Sequence, residues 1–471
     1  MSTCNVRNPR TGELDYQFEM PSESALADAC RQLRTAQPQW FNAGVNFRAE
    51  VISQFSTIIA RHASDILDAL VVDTGRWKIS MSEVQFMSSY CKARAEQAVE
   101  VLKEVEYTST TADNISFTQQ YVPYQLLTDI SPWNYPLQLS FVDSIPALLA
   151  GCAVIIKPSE ITPRFIEPLN KALSESPELT NVLRVVPGDR TVGQALIELA
   201  DGVIFTGSVA TGRQISVQAA KNFKPAFLEL GGKDPAVVLG SANIEHAAHA
   251  VMRCGITNTG QACYSTERVY VDKEIADEFV GALCNLAEQI ELTYPDPRKG
   301  HIGPLISSNQ KDIIEQHIAD AIENGANILT GGKVEEIGGG LWMRPTIMTN
   351  VDHTMKIMQD ETFAPILPIM TFETEEQAIQ LANDTTFGLS AAVFGSDDDI
   401  TRVGRQIDAG GIYLNDIEII GAVASVAEKE AFKHSGSNGT RYGPSGILRY
   451  VRKKALVYQK ATPPTIESLA V

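Results

Sequence analysis

Residues 226–239 read Ala-Phe-Leu-Glu-Leu-Gly-Gly-Lys-Asp-Pro-Ala-Val-Val-Leu, and residues 257–264 read Thr-Asn-Thr-Gly-Gln-Ala-Cys-Tyr. Two short apolar runs, Ala226–Leu230 and Ala236–Leu239, lie on either side of Gly231-Gly232. Runs of that length bounded by glycine read as buried strands, and the glycine pair reads as a break between two units. The same segment carries Glu229 and Cys263. A thiol with a carboxylate close in sequence suggests a nucleophile and a base that acts on it or on its product.

Working outward, the same signal recurs. Upstream, Leu126–Ile130, Ala153–Ile156, Val182–Val186 and Gly202–Phe205 are strand candidates with helical segments between them, such as Gly212 to Asn222. Downstream, Arg268–Val271, Ile366–Phe372, Ala391–Phe394 and Gly411–Leu414 continue the alternation, with helices expected over Ile275–Gln289 and Lys311–Asn324. Strands alternating with helices predict parallel sheets covered by helices, an α/β fold in two units meeting near Gly231-Gly232. Ahead of them, residues 1–20 read as an extended arm turning at Asn8–Glu13. Ser22 to about Val101 reads as helices broken near Pro38 and Gly75. Tyr107–Tyr124, rich in Thr, Tyr and Val and split at Ala112-Asp113-Asn114, reads as a projecting β-hairpin of the kind that serves subunit contact.

A chain of 471 residues with 44% hydrophobic and 20% charged residues suits a globular protein of two or three packed units. Its net charge of −18 argues against nucleic acid or an anionic membrane surface as a main partner. The start lacks an apolar signal core, and the longest apolar run, about Ile145–Ile156, is interrupted by Pro146 and Gly151. That run falls short of the ~18–20 residues a membrane span needs. Seven cysteines, odd in number and without a C-x-x-C pair, disfavour a disulfide framework or a zinc site and point to a reducing, cytoplasmic setting. The seven histidines are dispersed, so no metal site is expected.

Three further stretches bear on chemistry. Lys157-Pro-Ser159-Glu160 follows a strand, and an acid there would accept the hydroxyls of a ribose and repel a 2′-phosphate, favouring NAD over NADP; a surface Lys–Glu pair is the plain alternative. Phe205-Thr-Gly207-Ser208-Val-Ala-Thr211-Gly212 turns from strand to helix, offering backbone N–H groups to a pyrophosphate, although many such turns carry glycine for steric reasons. Asn134, in Ser131-Pro132-Trp133-Asn134-Tyr135-Pro136, is either a turn residue between prolines or an amide donor to an oxyanion. Cys263 differs from the other cysteines in its glycine-containing loop beside Thr259 and Gln261.

Six motifs in order carry a resemblance to the aldehyde dehydrogenase superfamily. They are Ser131-Pro-Trp-Asn-Tyr-Pro, Lys157-Pro-Ser-Glu160, Phe205-Thr-Gly-Ser-x-x-Thr-Gly212, Leu228-Glu-Leu-Gly-Gly-Lys233, Asn258-x-Gly-Gln-x-Cys263 and Glu361-x-Phe-Ala-Pro365. The resemblance implies a Rossmann-type cofactor domain (1–106 and 124–231), an α/β catalytic domain (232–440), and a β oligomerisation flap with C-terminal segment (107–123 and 441–471). It implies that Cys263 attacks the aldehyde, that Asn134 and the Cys263 N–H hold the oxyanion, and that Glu229 activates the water that hydrolyses a thioester. It places the cofactor on Ser131, Pro132, Trp133, Lys157, Ser159, Glu160, Gly188, Phe205, Gly207, Ser208, Thr211, Leu230, Gly231, Glu361 and Phe363. A homodimer or homotetramer is expected. One departure stands out: where the family commonly has a glycine-rich run near the substrate entrance, this chain has Glu430-Ala-Phe-Lys-His-Ser-Gly436.

Two other readings remain open. An acylating enzyme would pass the acyl group to coenzyme A, but relatives of that type often lack the carboxylate found here at Glu229. A structural member without activity would not require Asn134, Glu229 and Cys263 together. Tyr135, Gln138 and Tyr264 flank the reacting residues and are candidates for the substrate pocket, with core packing as the alternative. They lean the reading toward a medium-sized apolar or aromatic aldehyde.

Overall fold

In a computed structural model that describes residues 3–470, strands Ala226–Glu229 and Asp234–Val238 belong to different sheets, with Leu230–Lys233 passing between them. The first sheet orders its strands Gly436–Ser437, Ala226–Glu229, Gly202–Thr206, Leu126–Ile130, Ala153–Lys157 and Leu183–Val185. All pairings are parallel except the one with Gly436–Ser437, which runs antiparallel with Gly436 opposite Glu229. The second sheet orders Asn327–Ile328, Thr346–Thr349, Ile366–Phe372, Thr266–Asp272, Asp234–Val238, Ser390–Phe394 and Gly411–Leu414, parallel but for the first pair.

The apolar runs sit where their composition requires. Strands covered on both faces need no polar side, and along the second sheet alternate residues feed two cores. Val237 and Tyr270 enter one with the helices Gln310–Glu323, Glu375–Asn383 and Asp397–Gly404. Ala236, Val238, Val269 and Val271 enter the other with Ile244–Ile256 and Ala276–Glu288. Each fully buried valine contributes about 1.5–3 kcal/mol by leaving water, which fixes strand register against a one-residue slip. The first sheet packs its core against Glu23–Asn42, Val45–Arg61 and Trp77–Val101.

The helical N-terminal region departs from expectation at Pro38, which lies inside the helix Glu23–Asn42 without ending it. The chain turns instead at Ala43-Gly44, where Gly44 has φ of +87°. The proline is tolerated because its neighbours anchor the helix to the sheet region. Gln37 Nε2 donates to Gly151 O at 2.8 Å, and Trp40 Nε1 donates to Leu148 O at 2.9 Å. Gly75, with φ of +72°, does end its helix.

The hairpin forms from Val105–Thr108 and Ile115–Pro123, and Val451–Gln459 pairs antiparallel along the whole longer strand. The arm pairs Thr3–Arg7 with Leu14–Glu19. Short strands at Asn327–Ile328, Val334–Ile337, Gly340–Met343 and Thr346–Thr349 carry no strong sequence signal of their own and were not anticipated. Among the described residues no helix is long and apolar enough to cross a membrane.

Candidate active site

The thiol sits on a loop built to hold it. After the helix Ile244–Ile256, Asn258, Thr259 and Gly260 take φ of 55°, 60° and 70° in succession. Left-handed backbone at two residues other than glycine is costly and persists only where the surroundings enforce it. Here Gln261, fully buried, supplies the enforcement: its Nε2 donates to Asn258 O at 2.9 Å, and its Oε1 accepts from Ile306 N at 2.9 Å. Gly260 presses on the backbone at Ala364-Pro365, where a Cβ would collide. Asn134 closes the loop from the other unit. Its Nδ2 donates to Gln261 O at 3.0 Å, and its own carbonyl accepts from Arg76 and from Asn258 Nδ2, the latter at 3.1 Å. One N–H of the Asn134 amide is therefore spent on the cysteine loop and the second is left.

Burial pushes the Cys263 thiol up to about 12, against the pull of Arg441 and Lys429. Glu229, at the end of its strand and 7% exposed, faces two guanidinium groups. Its Oε1 lies 3.6 Å from Arg441 Nε and 3.8 Å from Arg449 Nη1. The same two arginines hold Asp143: Arg441 Nη2 donates to its Oδ2 at 2.8 Å, and Arg449 Nη1 lies 4.0 Å from its Oδ1. Burial alone would raise the Asp143 carboxyl, but Arg441 and Arg449 hold it below its usual range. Four charges of alternating sign thus share one buried site, and three of its guanidinium donors, Arg441 Nε, Arg449 Nε and Arg449 Nη2, make no hydrogen bond. The Glu430–Gly436 departure leads into this site. Gly436 pairs with Glu229, and Ser435 O accepts from Leu230 N at 2.8 Å.

Cys263 opens on a chamber of about 480 Å³. Tyr135, Gln138 and Tyr264 line it, with the two tyrosine hydroxyls 3.3 Å apart. Phe141, on the same segment as Gln138, turns away into the core against Phe55. Phe86, Tyr90, Arg94, Tyr413, Lys429, Arg441 and Tyr442 complete much of the wall.

A second cavity of about 350 Å³ lies at the carboxyl ends of the first sheet's strands, the usual place for a ligand in such a sheet. Ser131, Pro132, Trp133, Lys157, Ser159, Glu160, Phe205, Gly207, Ser208 and Thr211 line it. Lys157 Nζ reaches Glu160 Oε2 at 3.2 Å and Gly188 O at 3.1 Å, so Gly188 acts by fastening the lysine. Ser208 caps the helix Val209–Ala220, accepting from Thr211 N at 3.3 Å, so that this helix begins at the wall of the cavity, with its first N–H groups outside the intrahelical bonding. Leu230 supports this helix from below, in contact distance of where a Gly212 side chain would stand. Gly231 is required by close approach: its missing side chain makes room for the Glu361 carboxylate, which accepts from Gly232 N at 3.2 Å. Burial and Glu267 raise the Glu361 carboxyl. Phe363 meets Trp133 edge to face at 5.5 Å. A carboxylate–lysine pair, a capped helix start and an aromatic edge make a set that fits a dinucleotide from ribose to ring.

The sequence reading missed several lining residues. Arg190, Gly193, Gln194, Gln214 and Gln218 enter the cofactor cavity from two helix faces, and no local pattern distinguishes them from a solvated surface. Arg441 and Arg449 were missed for the same reason, although the altered segment just before them was a pointer.

A half-buried thiol opening on a chamber, with a second cavity at the carboxyl ends of a parallel sheet in the other unit, is an arrangement that suits an α/β oxidoreductase. The chain belongs to the aldehyde dehydrogenase family, whose profile matches residues 1–456. It is similar to a Mycolicibacterium smegmatis protein named "Putative succinate-semialdehyde dehydrogenase", with NADP(+) in its name as cofactor. The two are 33% identical over 434 residues, covering 92% of this chain and 84% of that one. Escherichia coli lactaldehyde dehydrogenase is 35% identical over 420 residues, 87% of this chain and 86% of that one. Among solved structures, "Putative Aldehyde Dehydrogenase PutA" from Anabaena variabilis superposes with a TM-score of 0.96 at 47% identity, covering 99% of each chain.

Proposed function

We propose that this chain oxidises an aldehyde to its carboxylic acid with NAD, through a thioester on Cys263 that water activated by Glu229 hydrolyses. One observation carries the reading: Cys263 opens on a chamber of about 480 Å³ while its loop is tied by Asn134 to the segment Ser131–Trp133 that lines the second cavity. The Cys263 thiolate adds to the aldehyde carbon, and the oxyanion accepts from Asn134 Nδ2 and the Cys263 N–H. The bound nicotinamide supplies a hydride acceptor. Loss of hydride restores the carbonyl as a thioester. Glu229 then takes a proton from water as its oxygen attacks, and the thiolate leaves as the acid forms. The balance is one aldehyde, one oxidised cofactor and one water to one acid, one reduced cofactor and one proton.

The tyrosine-rich walls suit a medium-sized substrate with an apolar or aromatic stretch. Glu160 favours NAD, since a 2′-phosphate would stand against its carboxylate. The NADP(+) in the name of the M. smegmatis relative supports a second reading, in which Arg190, lining the same cavity, receives that phosphate. The hairpin sheet, with Val457 and Tyr458 exposed on its outer strand, supports assembly into a homodimer or homotetramer.

The test is rapid-mixing NADH formation from a panel of aldehydes with either cofactor. Cys263→Ala is expected to abolish it, while Glu229→Gln keeps the first burst and slows later turnover. Undiminished turnover in Cys263→Ala would remove the nucleophile, and a higher kcat/KM with NADP would transfer the cofactor argument to Arg190.

A further inference from the structure

Three cations line the chamber that holds Cys263, and two are already engaged. Arg94 donates to Gly443 O at 3.1 Å and Arg441 O at 2.9 Å. Arg441 donates to Asp143 and to Thr206 Oγ1, both at 2.8 Å. The third, Lys429, differs. Among the described residues no carboxylate lies within 4 Å of its ammonium, and Glu229 and Asp234 act on it only from beyond that distance. It stands between two aromatic faces, 5.8 Å from the Tyr413 ring centre and 5.6 Å from that of Tyr442. Its path is cut for it. A side chain on Gly411 would meet Lys429 Cδ at 2.8 Å and Nζ at 3.1 Å, so the bare glycine leaves the channel along which the lysine extends.

We propose that Lys429 is the binding site for the carboxylate of an acid-bearing aldehyde, a molecule with the reacting carbonyl at one end and a carboxylate at the other. The half-buried ammonium has three donors; the Tyr413 hydroxyl beside it can accept from one, and the aromatic faces attract the others without accepting from them. A bound carboxylate supplies both the acceptor and the countercharge. One free cation matches one negative charge, which selects a carboxylate over a phosphate dianion. The tyrosine walls then hold the carbon chain between the two ends. The inference deepens the proposed oxidation, because the aldehyde must reach Cys263 in the same chamber. It also moves the substrate from apolar toward amphipathic, in keeping with the name of the M. smegmatis relative.

The experiment compares the four-carbon ω-oxo acid with its neutral methyl ester, using the full chain with NAD, for wild type, Lys429→Met and Lys429→Arg. In Lys429→Met the ratio of kcat/KM for the acid to that for the ester is expected to fall roughly ten- to hundredfold, mainly through KM, as for a lost hydrogen bond to a charged group. Lys429→Arg is expected to keep most of the ratio. Independently of turnover, the matching dicarboxylic acid should shield Cys263 from alkylation by iodoacetamide in wild type and not in Lys429→Met. An unchanged ratio, with acid and ester falling together, would overturn the proposal and make Lys429 a support for the thiolate. Equal shielding in both proteins would overturn it as well. If wild type oxidises neither compound yet shielding is still lost with Lys429→Met, the carboxylate site stands and the oxidation does not.

Discussion

Replacing Asn134 by alanine separates what this residue does for the loop from what it does for the reaction. In the folded chain its Nδ2 donates to Gln261 O at 3.0 Å, but that oxygen also accepts from Asn258 Nδ2 at 2.8 Å. The main chain at Asn134 is held separately, through its carbonyl, by Arg76 and Asn258. The variant therefore loses one hydrogen bond of about 1 kcal/mol without leaving a buried acceptor bare, and the loop stays in place. The oxyanion has no such reserve. With the amide gone only the Cys263 N–H remains, and the transition state rises by about 3–4 kcal/mol, a loss of roughly a hundred- to thousandfold in kcat. Stopped-flow NADH absorbance should show the burst itself slowed by that factor with KM little changed. Iodoacetamide should label Cys263 at the wild-type rate, because alkylation develops no oxyanion. A kcat within about threefold of wild type would refute the oxyanion role. Slowed alkylation would refute the claim that the loop is independent of Asn134.

Two further outcomes test the charges around the site. With burial pushing Cys263 up to about 12, thiolate is scarce in the protein without ligand at neutral pH. Its alkylation should climb roughly tenfold per pH unit from 7 to 10, and a plateau near pH 8 would contradict the burial argument. Arg441→Gln removes one of two guanidinium groups shared by Asp143 and Glu229, in side chains only 8%, 1% and 9% exposed. Breaking a buried pair by one partner costs ~3–5 kcal/mol, and the Tyr450 hydroxyl that still reaches Asp143 places this case at the lower end. A thermal midpoint lowered by several degrees is expected, together with an acyl-enzyme trapped on Cys263 and visible by intact mass. An unchanged midpoint would show that Arg449 alone suffices.

The parallel strands were legible because burial on both faces leaves a mark that needs no context. Leu126–Ile130, Ile366–Phe372 and Gly411–Leu414 have the limits their apolar runs suggest. Edge strands leave no such mark. Asn327–Ile328 and Val334–Ile337 are short, partly polar, and defined by what lies beside them. Pro38 shows the converse: a strong local breaker was overruled by Gln37 and Trp40, whose bonds to a distant segment outweigh one missing helix bond.

At the site, legibility divides along the same line. Cys263, Asn134 and Glu229 announce themselves through the motifs around them, since each needs an unusual turn or a strand end close by in sequence. What surrounds them comes from far along the chain, and its meaning is electrostatic. Lys429 and Arg441 flank a segment that looked merely altered, yet a lysine in a polar run has no local signature of being unpaired. Whether a charge is satisfied depends on every group that folding brings near it: backbone carbonyls accept from Arg94 and Asp143 pairs with Arg441, while Lys429 has neither among the described residues. The substrate question was silent in the sequence for that reason. The residues proposed to catalyse are fixed by local geometry, whereas the residue proposed to select is recognised only by the partner it lacks.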